Sequence, residues 1–156
     1  MPASFDLQAF VPYLLNRAAV RIAEAFGEEL KRHHLTVPMW RVIAALWHHG
    51  PSRLGDLSDL TAIEISTLSR LVTVLQRKGL VSRVRSEADA RAVRLDLTDP
   101  GRTLTAALIP LALECERRTL SGLSEDEVAF LRRLLHRVYR NAAELDFVAE
   151  PLRKAG

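Results

Sequence analysis

Apolar residues recur at steps of three and four along much of this chain. The first run is Leu7, Phe10, Val11, Leu14, Ala18, Ile22, Ala25, Phe26 and Leu30, a stripe along one side of a helix. Pro12 is placed either to start that helix or to kink it. The stretch His33-His34-Leu35-Thr36 reads as a break. Thr36 then reads as an N-cap, with Pro38 in the first turn of a second helix over about 37–48. This helix carries Trp40, Ile43, Ala44 and Trp47, and Gly50-Pro51 is its stop signal. Leu54, Leu57 and Leu60 predict about two further helical turns. After the joint Thr61-Ala62-Ile63, a longer helix is expected from Glu64 to Lys78. Its apolar side is Ile65, Leu68, Leu71, Val72 and Leu75, and Gly79 sits where a left-handed C′ residue ends a helix.

The period then changes. Leu80 to Arg85 alternates apolar and polar, as does Val93 to Leu97, and a polar connection lies between them. This predicts a β-hairpin. Thr98 caps a helix reaching about Thr119, with Pro110 as an expected kink. Ser124 and Glu127 form a capping box ahead of Val128, Leu131, Leu135, Val138, Ala142, Leu145, Ala149 and Leu152. That last series is a coiled-coil-like seam. The fold class is therefore mainly α with a small β-hairpin wing: a winged helix-turn-helix with a helical dimerisation region. The expected organisation is an N-terminal helix over 1–35, a winged region over 36–98 and C-terminal helices over 99–156, forming a single domain.

Composition adds limits. Of 156 residues, 48% are hydrophobic, enough for a core, and no apolar run is long enough to span a bilayer. The start Met-Pro-Ala-Ser-Phe-Asp lacks the basic and apolar regions of a secretion signal, so a cytoplasmic protein is expected. The lone Cys115 allows no internal disulfide. A net charge of +3 decides little. Its distribution is more informative: residues 77–94 hold Arg77, Lys78, Arg83, Arg85, Arg91 and Arg94 against Glu87 and Asp89. Such clustering fits a phosphate-binding face, although a solvated arginine-rich hairpin would read the same way.

A helix fits the major groove of B-DNA, where side chains near its N-terminus reach base edges. The side of the fourth helix opposite its apolar stripe offers Ser66, Thr67, Ser69, Arg70, Thr73 and Arg77, with no carboxylate after Glu64. The hairpin would bring Arg83, Arg85, Arg91 and Arg94 to the flanking backbone or minor groove. Residues 89–101, Asp-Ala-Arg-Ala-Val-Arg-Leu-Asp-Leu-Thr-Asp-Pro-Gly, resemble the wing signature of the MarR family of bacterial transcription regulators. That signature is Asp-x-Arg, three residues, Leu-x-Leu-Thr, then Gly. Ser-Thr-Leu-Ser-Arg (66–70), Leu-Gln-Arg-Lys-Gly-Leu-Val (75–81) and Thr-Val-Pro-Met-Trp-Arg-Val (36–42) extend the likeness.

The resemblance implies that Arg91 is the wing arginine, that Asp89 stiffens the wing, and that Leu95, Leu97 and Thr98 are structural. Ala90 departs from the family, where this position is often basic. The resemblance also implies a homodimer built from the first, fifth and last helices, so that 1–35 and 99–156 are interlocked dimerisation helices around a DNA-binding region over 36–98, bound to a pseudo-palindromic duplex. It further implies a small effector, an aromatic acid or an acyl thioester, that releases a repressor from DNA. Tyr13, Arg17, Arg21, Trp40, Arg41 and Trp47 are the candidates for holding it, by stacking and guanidinium pairing. Tryptophans at helical spacing also suit a core. His33-His34 and His48-His49 raise the alternative of a metal-responsive regulator, but adjacent histidines chelate poorly, and neither metal ligands nor a cofactor are expected. A further alternative is a winged-helix protein–protein adaptor without DNA binding. No phosphate-binding glycine loop, nucleophile elbow or His-Glu-x-x-His is present, so an enzyme is not expected.

Overall fold

A computed structural model describes residues 5–85 and 93–145. Its elements, in order, are α1 (Val11–Arg32), α2 (Val37–His49), α3 (Leu54–Thr61), α4 (Ile65–Arg77), β1 (Val81–Arg85), β2 (Val93–Leu97), α5 (Asp99–Thr119) and α6 (Glu125–Ala143). Among the described residues no helix is long and apolar enough to cross a membrane. The chain divides into two compact units between Thr119 and Leu120. α5 packs on α1, α2 and β2 within the first of these units.

In the first unit the core is one cluster. Phe26 and Leu30 of α1 meet Val42, Ile43 and Leu46 of α2, Leu57 of α3, Leu68, Val72 and Leu75 of α4, and Leu108 of α5. Leu80, Val81, Leu95 and Leu97 close it from the hairpin. Each leucine fully buried here contributes about 1.5–3 kcal/mol by leaving water. The stripe read along α1 is buried only at its C-terminal end: Leu7 and Phe10 precede the helix, and Val11, Leu14 and Ile22 remain exposed. Pro12 sits in the first turn of α1 and so marks its start.

Local chemistry sets the boundaries. Thr36 accepts from the Met39 amide at 3.4 Å. α1 closes with His34 at φ 54°, the Leu35 amide donating to Leu30 O and the His34 amide to Lys31 O. That is a Schellman turn with histidine where glycine is usual. α4 ends the same way on Gly79 at φ 70°, with Leu80 donating to Leu75 O and Gly79 to Gln76 O. Leu75 and Leu80, which bracket this turn, are both buried.

β1 and β2 are antiparallel, Val81 opposite Leu97 and Arg85 opposite Val93. Ser52 adds a single bridge to β2: its amide donates to Leu95 O at 3.0 Å and its carbonyl accepts from Leu95 N at 2.8 Å. Thr98 fastens the hairpin to α5. Its hydroxyl donates to Gly79 O at 2.5 Å and accepts from the Gly101 amide at 3.1 Å, while its own amide donates to Leu80 O. Gly101 lies so close to the Leu80 backbone that a Cβ there would fall 2.0 Å from the Leu80 carbonyl oxygen.

In the second unit, Ser124 and Glu127 make the expected capping box, and α6 has no buried residue. Val128 and Leu131 are half-buried; Leu135, Val138, Ala142 and Leu145 are exposed. The remaining seam positions, Ala149 and Leu152, lie outside the described residues.

Candidate nucleic-acid interface

The joint between α3 and α4 is tied by two hydroxyls. Thr61 Oγ1 donates to Leu57 O at 2.5 Å, and Ser58 Oγ donates to Ile63 O at 2.7 Å. Ala62 takes a left-handed conformation at φ 52° to make the turn. α4 then begins on Glu64, an unusual N-cap. Its carboxylate accepts from the Ser66 amide at 3.0 Å, from the Thr67 amide at 3.1 Å, and from the Ser66 hydroxyl. The hydrogen bond from the Ser66 hydroxyl, then the two amides, hold its pKa below the ordinary carboxylate value, with the Arg70 charge adding to the effect.

Burial of Leu68, Val72 and Leu75 turns one side of α4 inward. By helical geometry the other side faces out, and Ser66, Thr67, Ser69, Arg70, Thr73 and Arg77 are all exposed. Ile65, expected on the apolar side, is 49% exposed. It stands in the first turn, ahead of the buried Leu68. Thr73 Oγ1 donates to Ser69 O at 3.0 Å.

The hairpin arginines divide between faces. Val81 pairs with Leu97 and Arg83 with Leu95, and alternation along a strand puts these four on one face of the hairpin. Arg83 is exposed and lines a cleft with Leu54, Ser69, Val72, Val93 and Leu95. The wing and α4 therefore share a cationic, hydroxyl-bearing surface. Arg94 is half-buried and pairs with Val84 on the opposite face; its Nε is buried with no partner among the described residues. Asp96, on that face too, accepts from Arg102 at 2.9 Å through both carboxylate oxygens. Arg85 pairs with Val93 in the register. Arg91, with Glu87, Asp89 and Ala90, lies outside the described residues.

The effector candidates fall into separate groups. Arg17 stacks over the Tyr13 ring at 5.4 Å, and Arg21 pairs with Glu24 at 3.1 Å. Trp40 packs edge-on against Phe26, with ring centres 5.5 Å apart, at the margin of the core. Trp40 and Arg41 line a shallow cleft with Ala44, Ala45, His48, His49, Leu60 and Thr61. Trp47 is 42% exposed and is not in its wall. Among the described residues no cluster of three or more His, Cys, Asp or Glu could hold a metal ion.

Sequence reasoning overlooked Glu64 as more than the last carboxylate before a cationic face. Glutamate is not a favoured N-cap, so the capping rule passed over it. It also gave no strand role to Ser52, because a one-residue bridge leaves no alternating pattern.

Comparison with known proteins matches residues 35–93 to the model of the MarR family. The chain is 30% identical over 146 residues to the HTH-type transcriptional repressor IacR of Pseudomonas putida, covering 92% of this chain and 87% of that one. It is 33% identical over 108 residues to the HTH-type transcriptional regulator MgrA of Staphylococcus aureus, covering 69% and 72%. Among solved structures, a MarR family transcriptional regulator from Silicibacter pomeroyi superposes with a TM-score of 0.82 at 26% identity, covering 93% of this chain and 99% of that one. BpsR of Bordetella bronchiseptica, whose DNA binding is regulated by 6-hydroxynicotinic acid, superposes with a TM-score of 0.74 at 29% identity, covering 83% and 98%.

Proposed function

This chain belongs to the MarR family of transcription regulators, and from that premise we propose that it is a dimeric, sequence-specific repressor released from DNA by a small planar acid. The observation that carries the DNA reading is the joint surface of α4 and the wing. Ser66, Thr67, Ser69, Arg70, Thr73 and Arg77 are exposed on one helix, and Arg83 stands across a cleft from Ser69. In this reading α4 enters the major groove, with Arg70 donating to base edges. Arg83, together with Arg77, Arg85 and Arg91, neutralises flanking phosphates, whereas Arg94, on the opposite face of the hairpin, is left out of this contact. Two such heads in a dimer meet major grooves about 34 Å apart and read a pseudo-palindrome.

The experiment is a titration of the protein into a duplex taken from DNA upstream of its own gene. Affinity should fall by about a hundredfold or more between 50 and 200 mM salt as counterions cease to be released favourably. A flat response would remove the reading.

Support for the effector comes from the Trp40–Arg41 cleft, where a ring can stack and a guanidinium or the flanking His48 and His49 can meet a carboxylate. The BpsR ligand is an acid of this shape. Ligand releases DNA only by binding the DNA-incompetent arrangement more tightly. Thermal-shift screening with aromatic acids and acyl-CoA thioesters tests this, since a ligand bound only to the folded state raises the midpoint.

A further inference from the structure

We propose that Glu64 sets part of the sequence preference of α4 by fixing the Ser66 hydroxyl as a hydrogen-bond acceptor. The inference rests on the DNA-binding reading above. A serine hydroxyl carries one proton and two lone pairs, and it ordinarily rotates to suit its partner. Here the proton is committed: Ser66 Oγ donates to Glu64 Oε2. The same carboxylate holds the amides of Ser66 and Thr67 at 3.0 and 3.1 Å, so it cannot swing aside without abandoning three donors. A hydroxyl-to-carboxylate bond is charge-assisted and roughly twice as strong as a neutral one. Thr73 makes the contrast. Its proton goes to the neutral Ser69 carbonyl at 3.0 Å, a bond that an incoming acceptor can replace.

Ser66 is exposed, so what it offers an outside partner is lone pairs alone. Phosphate oxygens only accept, and the neighbouring carboxylate repels them; Ser66 is therefore unsuited to the DNA backbone. In the major groove, adenine N6 and cytosine N4 donate, whereas guanine presents N7 and O6 and thymine O4 as acceptors. An acceptor-only Ser66 favours A or C on the strand it contacts and disfavours G or T. Glu64 is a positioning residue in this scheme, acting through Ser66 without touching a base.

The test is selection from a randomised duplex pool, at one salt concentration, with the full-length parent, Ser66→Ala and Glu64→Ser. Serine at 64 keeps an N-cap oxygen for the Thr67 amide while removing the carboxylate. In the parental motif, one position per half-site should prefer A or C over G or T by about three- to tenfold, the range of a single hydrogen bond. Ser66→Ala should flatten that position and no other. Glu64→Ser should flatten it too, although Ser66 is intact, because the hydroxyl regains freedom to donate. Loss of a merely structural cap would weaken all sequences alike. The proposal is overturned if the position lost in Ser66→Ala prefers G or T in the parent, if Ser66→Ala flattens no position, or if folded Glu64→Ser keeps the parental preference. A parent that enriches no motif would instead mean that the DNA-binding reading has failed, and the inference with it.

Discussion

Arg70 and Arg83 are both exposed cations on the same surface, yet their positions assign them different work. Arg70 lies in the second turn of α4, within reach of base edges in a docked complex, so Arg70→Ala should weaken binding to the preferred duplex about ten- to hundredfold and relax preference at one position. Arg83 lies on the wing strand. Its replacement by alanine should weaken all duplexes alike and lower the salt slope by about one. Fluorescence anisotropy on preferred and scrambled duplexes at several salt concentrations separates the two. Away from this surface, Glu114 accepts from Arg117 at 2.7 and 2.8 Å and from Arg118 at 2.7 Å. These bonds hold its pKa down to about 2 from an ordinary 4.5. A carboxylate depressed in the folded state stabilises above its unfolded pKa and loses that contribution as pH falls through its folded value. Glu114 should therefore give its full effect above about pH 4.5 and lose it between there and about pH 2. The group is exposed, so the effect should shrink in high salt. Comparing acid unfolding of the parent and Glu114→Gln in low and high salt checks both statements. The arginine-hydroxyl face was legible in the sequence because helix periodicity assigns Leu68, Val72 and Leu75 inward and leaves Ser66, Arg70 and Thr73 outward. Glu64's grip on Ser66 was not, since it depends on one rotamer at the helix start.

The elements are positioned by a few backbone contacts that no periodicity reports. The wing leaves α4 through the Gly79 turn, and the Thr98 hydroxyl ties that turn to the first turn of α5. Gly101 lets α5 approach Leu80 closely enough for this tie. A methyl group placed 2.0 Å from a backbone oxygen must displace one of the two elements. Gly101→Ala should cost about 2–3 kcal/mol, in the upper range for overpacking, and lower the melting midpoint by about 5–10 °C. An unchanged midpoint in thermal unfolding would show that α5 and the wing are not in register as described. The Leu-Asp-Leu-Thr-Asp-Pro-Gly run at 95–101 was readable as strand, cap and helix start. The reason for its glycine was not readable, because the atom it spares belongs to a residue 21 positions earlier. The starts of α2, α5 and α6 followed from caps and proline, which act within a turn. α1 was misjudged at its start because an apolar stripe does not say which of its residues meet the core.

At the scale of the molecule, the unanswered surface is α6. Phe130, Leu134, Leu135, Val138 and Tyr139 are 39–57% exposed on a helix with no buried residue, more apolar exposure than a lone soluble helix ordinarily carries. A second copy covering this stripe is the expected answer. Sedimentation should give a dimer at micromolar concentration, the melting midpoint should rise with protein concentration, and Leu135→Glu should shift the population to monomer with loss of DNA affinity. A concentration-independent monomer would refute the dimeric reading. By itself the order of residues determined which segments are helix and strand, where most of them begin and end, and which side of α4 is polar. Those properties arise from spacing and capping within a few residues of one another. Only the folded chain decided that Arg83 joins the α4 surface while Arg94 turns to the opposite face, that Ser52 extends the hairpin, and that α5 packs with the winged unit. Each of these depends on contacts between residues far apart in the chain, where no local period carries a signal.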